Sequence, residues 1–254
     1  MAKENVLHMK GGVGETSYAT NSSLQNSSAG EIKNFVQNMD GNFSPSPDVF
    51  RAPENLLKNG EPLNKENIYI SKTSPPSVYE VYLKQFESDF KNFLKLRSME
   101  LAVDGMMALT IMGREIDKII SVEGVIGMVL NQMVQEELVE KEKLDMFDVP
   151  AYHPREDEVR QVIKEEGSFT LHTMKTFKMG WDANLQKDIV VNKKVRGEFV
   201  AKYLRAVFEP LLIARFGENI MDDLFMRVEK FVAELFELET LEFTNIILFL
   251  TRDH

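Results

Sequence analysis

Apolar residues along this chain recur in two rhythms. From Tyr79 onward, Tyr82, Phe86, Phe90, Phe93 and Leu94 fall at three- and four-residue spacing. That spacing predicts a long amphipathic helix over Val78–Leu101 whose aromatic stripe faces a core. Ser77, with Glu80 three residues on, has the form of a capping box at its start. Gly105 closes the segment, and Met106–Met112 is an unbroken apolar run of strand length, the pattern of a strand buried in a parallel sheet. Residues 121–144 read as a helix with a Met-rich face at Met128 and Met133, residues 157–166 as a short acidic helix and Phe169–Phe177 as a strand. Two further helices are expected over Gly197–Phe216 and Ile220–Leu238, and a strand rich in Ile, Leu and Phe over Phe243–Thr251. Helix and buried strand in alternation predict an α/β fold. Upstream the pattern fades: residues 26–66 are rich in Ser, Asn, Gly and Pro and read as an irregular junction with one short helix at Glu31–Met39.

Composition narrows the class. With 254 residues, 43% of them hydrophobic, the chain is large enough to bury a core. Its longest apolar stretches, such as Met106–Met112 and Ile246–Leu250, fall far short of the roughly 20 residues that span a bilayer. The N-terminus has no apolar signal-peptide region, so a cytoplasmic protein without a membrane partner is the expectation. There is no cysteine, which excludes disulfides, a thiolate nucleophile and zinc–sulfur sites. His8, His153, His172 and His254 are scattered without metal-binding spacing. A net charge of −10 repels a nucleic-acid backbone, so Lys193, Lys194 and Arg196 are read as a solvated face and nucleic acid is not an expected partner.

Two places offer candidate chemistry. Asp145 and Asp148 flank Phe147 at a helix exit; with the Phe147 carbonyl and the Asn64 amide they compose a hard-oxygen set suited to Mg²⁺ or Ca²⁺ rather than Zn²⁺. The same acids could instead cap a loop. Gly11-Gly-Val-Gly14 lacks the Lys-Ser/Thr ending of a phosphate loop and follows no strand, so the N-terminal polar run Thr16–Asn21 reads either as a turn or, with Gln25, as part of a binding site.

Three strings decide between those readings: His8–Gln25, then Ile68-Tyr-Ile-Ser-Lys-Thr-Ser-Pro-Pro-Ser-Val78, then Glu142-Lys-Leu-Asp-Met-Phe-Asp-Val-Pro150. With Glu165-Glu-Gly-Ser-Phe169, Leu204–Leu212 and Phe216–Asp222, they resemble, in order, landmarks of the plant SABATH methyltransferases. Members of that family use S-adenosylmethionine (SAM) to methylate small acids such as salicylate, benzoate and jasmonate, or the ring nitrogens of xanthines. The resemblance covers residues 5–25 and 53–254. It implies a partial Rossmann-like methyltransferase sheet formed by residues 67–113 and 168–254, with a helical cap inserted at 114–167. Residues 1–25 would be a substrate- and cofactor-contacting segment, and 26–66 the junction replacing most of the cofactor-binding core.

By the same resemblance Lys10, Tyr18 and Ser22 contact SAM, Gln25 holds the substrate carboxylate, and Asn64, Asp145, Phe147 and Asp148 hold Mg²⁺. A small carboxylic acid is the implied substrate and a homodimer the implied assembly, with no catalytic base beyond positioning. Where carboxyl-methylating relatives often place Trp, this chain has Glu123. The family strings Asp-Leu-Gly-Cys, Asn-Asp-Leu and Tyr-Ser-x-x-Trp do not occur between Gln25 and Pro53. The implied consequences are weak SAM binding and either a carboxyl methyltransferase or an inactive fragment that pairs with longer relatives.

Overall fold

Two adjacent prolines set where the first long helix begins. In the computed structural model, which describes residues 53, 56–115, 120–185 and 192–254, helix α1 runs Pro76–Glu100 with Pro75 as its N-cap and no side-chain cap. Pro76 occupies the first turn, where its missing N–H costs nothing, and Ser77 lies inside the helix, so the expected capping box does not form. Val78, Tyr82, Phe86, Phe90 and Leu94 make the buried stripe. Before it, a hairpin pairs β1 (Leu57–Lys58) with β2 (Glu61–Pro62), and Leu56, Asn64, Ile68 and Tyr69 are buried. The expected helix at Glu31–Met39 lies outside the described residues.

The main sheet has the order β3 (Met106–Gly113), β5 (Glu242–Arg252), β4 (Phe169–Gly180). Both pairings are antiparallel, which corrects the parallel sheet expected from the run Met106–Met112. The reason lies in the connection from β4 to β5. Helices α5 (Lys193–Phe216) and α6 (Met221–Leu238) form a hairpin, so two helical passes return the chain to the end of the sheet it left, and β5 must run against β4. Among the described residues β3 pairs with β5 alone.

Between β3 and β4 lie α2 (Val122–Gln135), the short α3 (Lys141–Asp145) and α4 (Glu156–Glu166). The single helix expected over 121–144 is two, separated by Glu137 in the left-handed region at φ 61°. Ser121 caps α2 by accepting from the Gly124 N–H at 3.0 Å, and Gly167, at φ 79°, ends α4. Met133 of α2 is buried while Met128 is exposed. No described helix is long and apolar enough to cross a membrane.

Strand β5 separates two cores. Ile246, Leu248 and Leu250 pack with Phe86 and Leu94 of α1 and Val159 and Val162 of α4. Phe243, on the other face, joins Val125 and Ile126 of α2, Leu204 and Leu212 of α5 and Leu224 of α6. Helices α5 and α6 approach closely at Gly197: a Cβ there would lie 2.5 Å from the Glu229 carbonyl oxygen and 2.9 Å from the Ala233 Cβ. We therefore expect Gly197→Val to destabilise the chain by about 1–3 kcal/mol through overpacking, read as a Tm lowered by several degrees. An unchanged melting curve would show that the two helices can part without cost.

Candidate functional site

Helix α2 carries one charged residue, Glu123, in its first turn, and that residue is only 2% exposed. Its Oε1 lies 2.9 Å from Nε2 of His153, in the loop after α3. The His153 ring also bonds the Met112 backbone at the end of β3. The loop is fixed there by Arg114 N–H donating to the Pro154 carbonyl at 3.1 Å and by His153 N–H donating to the Tyr69 hydroxyl at 3.0 Å.

Across the strand pair Met112 faces Asn245, which is wholly buried. Asn245 shares its sheet face with Phe243, two residues away. The Phe243 ring centroid lies 6.1 Å from that of Tyr203 on α5 and 5.7 Å from that of Trp181. Burial, then the charges of Asp182 and Glu123, push the Tyr203 hydroxyl pKa up. That end of the sheet is ringed by an amide, a phenol and two aromatic walls, with the Glu123–His153 pair beside the end of β3. The Tyr203 hydroxyl and both polar atoms of the Asn245 amide have no hydrogen-bond partner, whereas the Glu123 carboxylate is also favoured by hydrogen bonds from the Ser121 hydroxyl and its own N–H.

Burial alone would raise the Glu123 pKa and lower that of His153. In each case the partner's charge and hydrogen bond win, holding the Glu123 carboxyl below its ordinary value and His153 above its own. A neighbouring network braces the pair from behind. Arg114 donates to Glu158 at 2.8 Å and to the Tyr79 and Tyr152 hydroxyls at 2.9 and 3.2 Å, while Glu158 accepts from the Arg155 N–H at 2.9 Å.

The residues that the family resemblance assigns to cofactor and substrate, Lys10, Tyr18, Ser22 and Gln25, lie outside the described residues. Those assigned to the metal are described. The Asn64 amide nitrogen donates to Asp148 Oδ1 at 2.8 Å and to the Tyr69 carbonyl at 3.3 Å, and its oxygen accepts from the Ser74 hydroxyl at 2.6 Å. Asp145 accepts from the N–H of Glu66 at 2.9 Å, a residue held in the left-handed region at φ 67°. Phe147 packs its ring edge-on against Phe216 at 5.2 Å.

The structure therefore brings Asn64 and Asp148 together but turns an N–H₂, which cannot ligate, toward the carboxylate. A cation would require the opposite amide orientation, and among the described residues no group of three or more His, Cys, Asp or Glu side chains could hold a metal. In this arrangement the Asn64–Asp148 bond is a loop clasp joining the stretch before α1 to the loop after α3; with the amide turned over, Asn64, Asp145, the Phe147 carbonyl and Asp148 would be the residues to hold Mg²⁺.

Comparison with known proteins supplies the identity. The model of the SAM-dependent carboxyl methyltransferase family matches residues 49–253. The chain belongs to the SABATH family. It is 41% identical over 201 residues to a benzoic acid/salicylic acid carboxyl methyltransferase of Petunia hybrida, covering 77% of this chain and 55% of that protein. It is 39% identical over 205 residues to an anthranilate O-methyltransferase of Zea mays, covering 78% and 53%. A 7-methylxanthine methyltransferase of Camellia ptilophylla is 37% identical over 208 residues, covering 80% and 56%. A solved loganic acid methyltransferase with SAH superposes with a TM-score of 0.68 at 27% identity, over 80% of this chain and 57% of that one. The chain thus spans about half the length of the curated relatives it matches. The α/β fold expected for a SABATH member is what the structure shows.

Sequence reasoning marked Glu123 by alignment but missed that His153 neutralises it. The available signal was a lone acid at the start of a helix with no other charge.

Two expectations follow. Burial, opposed by the hydrogen bond from Asn64, pushes the Asp148 carboxyl up to about 6, so its ionised form costs stability at neutral pH and the cost disappears as pH falls toward its unfolded value. Asp148→Asn should stabilise the chain at pH 7.5, on the order of 1–3 kcal/mol, and change little near pH 4; a resident cation on Asp148 would reverse the sign. The Glu123–His153 pair should act in the opposite sense. With Glu123 lowered and His153 raised, its contribution is present above about pH 4.5 and below about pH 6.5. It is lost as pH falls through the folded Glu123 pKa or rises through the folded His153 pKa. The Tm difference between the chain and a Glu123→Gln/His153→Gln variant should peak inside that window, and a flat difference from pH 4 to 9 would show the pair to be uncharged.

Proposed function

We propose that this chain serves methyl transfer from SAM to the carboxylate of a small plant acid of the salicylate, benzoate or jasmonate type, and that the ringed end of the sheet is its acceptor site. The observation that carries this reading is the meeting of the unpartnered Asn245 amide and Tyr203 hydroxyl with the Phe243 and Trp181 rings at one end of the sheet, in a chain whose relatives are methyltransferases of small molecules. SAM would supply a methyl group on a positively charged sulfur.

The chain's own task is then positional. A carboxylic acid with a pKa near 4 is already an anion at neutral pH, so no side chain has to remove a proton before attack. Phe243, Tyr203 and Trp181 would hold a flat ring and exclude water. Gln25, by resemblance, would donate its amide N–H to one carboxylate oxygen, leaving the other in line, while Lys10, Tyr18 and Ser22 line the cofactor side. Holding two partners in a near-attack arrangement contributes roughly 7–11 kcal/mol in favourable cases. The wider proposal is of a cytoplasmic homodimer.

A second reading, a non-catalytic partner of longer relatives, is favoured by the outer edge of β3, which no described strand pairs and which offers unpaired backbone groups to another chain. Transfer of a labelled methyl group from millimolar SAM to benzoate, salicylate, jasmonate and anthranilate separates the two. We expect labelled ester from at least one acid, with kcat/KM falling roughly ten- to 150-fold in Gln25→Ala for one hydrogen bond to a charged group. No ester from any of the acids, together with recovery of the chain in a complex with a co-expressed full-length relative, would establish the second reading instead.

A further inference from the structure

Among the described residues the main sheet has two outer edges, on β3 and on β4, and they are built differently. An open strand edge is a template for further pairing, and proteins that keep one open blunt it with lysines or a bulge. Strand β4 has both: Lys175 and Lys178 are exposed along it, and its register to β5 shifts between Leu171 and Thr173. Strand β3 has neither. Met106–Gly113 holds no charge and no proline, and its register to β5 runs without a shift from end to end.

The backbone groups on the open side of β3 follow from one hydrogen bond. The Arg252 N–H donates to the Gly105 carbonyl at 2.9 Å, and these two residues lie opposite each other when the register is carried one step back from Met106–Thr251. Bonded and unbonded pairs alternate along an antiparallel ladder, so Met107, Leu109, Ile111 and Gly113 turn their backbone N–H and C=O groups to β5. Those of Met106, Ala108, Thr110 and Met112 turn outward. In one antiparallel register with a copy of itself the strand uses every outward group: Met106 opposite Met112, Ala108 opposite Thr110, and Leu109 facing Leu109 on a twofold axis. Any slip leaves outward groups of β3 without a strand partner. The same register sets Asp104 opposite Arg114, so the charged residues that flank the strand are opposite in sign across the contact; an in-register parallel pairing would set like beside like.

We propose that the outer edge of β3 is a homotypic interface, in which two copies of this chain join their sheets by antiparallel β3–β3 pairing about a twofold axis at Leu109. Self-complementarity favours a second copy over a foreign strand, since one uncharged sequence supplies both sides, and a twofold contact closes on itself instead of growing into a filament. The inference rests on the homodimer proposed above and gives that homodimer its surface; it is independent of whether the chain turns over a substrate.

The chain has no cysteine, so an introduced one is its only thiol. In Leu109→Cys the two thiols face each other across an unbonded pair, where Cα atoms about 4.5 Å apart lie within the span of a disulfide. Sedimentation equilibrium at tens of micromolar should give the unaltered chain twice the mass of one copy. Mild oxidation should crosslink Leu109→Cys into a dimer and leave Lys175→Cys, on the guarded edge, as single chains. Thr110→Pro removes an outward N–H and no bond to β5. It should keep its circular dichroism spectrum while the dimer dissociation constant rises about tenfold or more, because one hydrogen bond is lost on each side of the axis. Should that variant fail to fold, mass and crosslinking decide alone. A chain that stays monomeric would overturn the interface and the homodimer together. A dimer that Leu109→Cys does not crosslink would overturn the interface and leave the homodimer standing on another surface.

Discussion

Everything described here hangs on the pairing of β5 with a strand on each side. Residues Phe243–Leu250 are buried throughout, and a strand so placed can bond its backbone only through both neighbours, since unpaired buried N–H and C=O groups would each cost on the order of 1–3 kcal/mol. Its alternation then fixes the rest. Ile246, Leu248 and Leu250 commit one face to α1 and α4, and Phe243 commits the other to α2, α5 and α6. A slip of one residue would exchange these sets and bring Asn245 out of the ringed end.

The helices and strands downstream of residue 76 were legible because each is long and strongly patterned; the observed bounds of α4, β4, α5, α6 and β5 differ from expectation by a few residues at most. The direction of the strands was not. An apolar run such as Met106–Met112 reads as a fully buried strand, yet only Leu109 and Gly113 of β3 are buried, and neighbour direction depends on how many helical passes intervene, which hydrophobic pattern does not encode. The break in the cap was hidden for a related reason. Glu137 adopts a left-handed conformation that glycine or asparagine would have announced.

The candidate site divides along the same line. Residues assigned by resemblance could be numbered from the sequence, but their hydrogen bonds could not. Asn64 and Asp148 do meet across 84 positions of chain, and only the structure shows that the amide presents its nitrogen there while Ser74 takes its oxygen. Glu123 and His153, 30 positions apart, carry no mutual spacing signal because a turn, a short helix and a loop separate them.

The two buried acid sites answer the same electrostatic problem differently. Asp148 has a neutral amide for company, and burial accordingly drives it toward the protonated form. Glu123 is more deeply buried but faces an imidazole, and each partner's charge and hydrogen bond favour the ionised form of the other, lowering the Glu123 pKa and raising that of His153. Such a pair is a poor source of net stability, since desolvating both groups cancels much of their attraction. Its place is set instead by geometry, because it ties the start of α2 to the loop after α3 at the end of β3. Asp148 plays the same part elsewhere: its bond to Asn64 ties the loop after α3 to the stretch before α1.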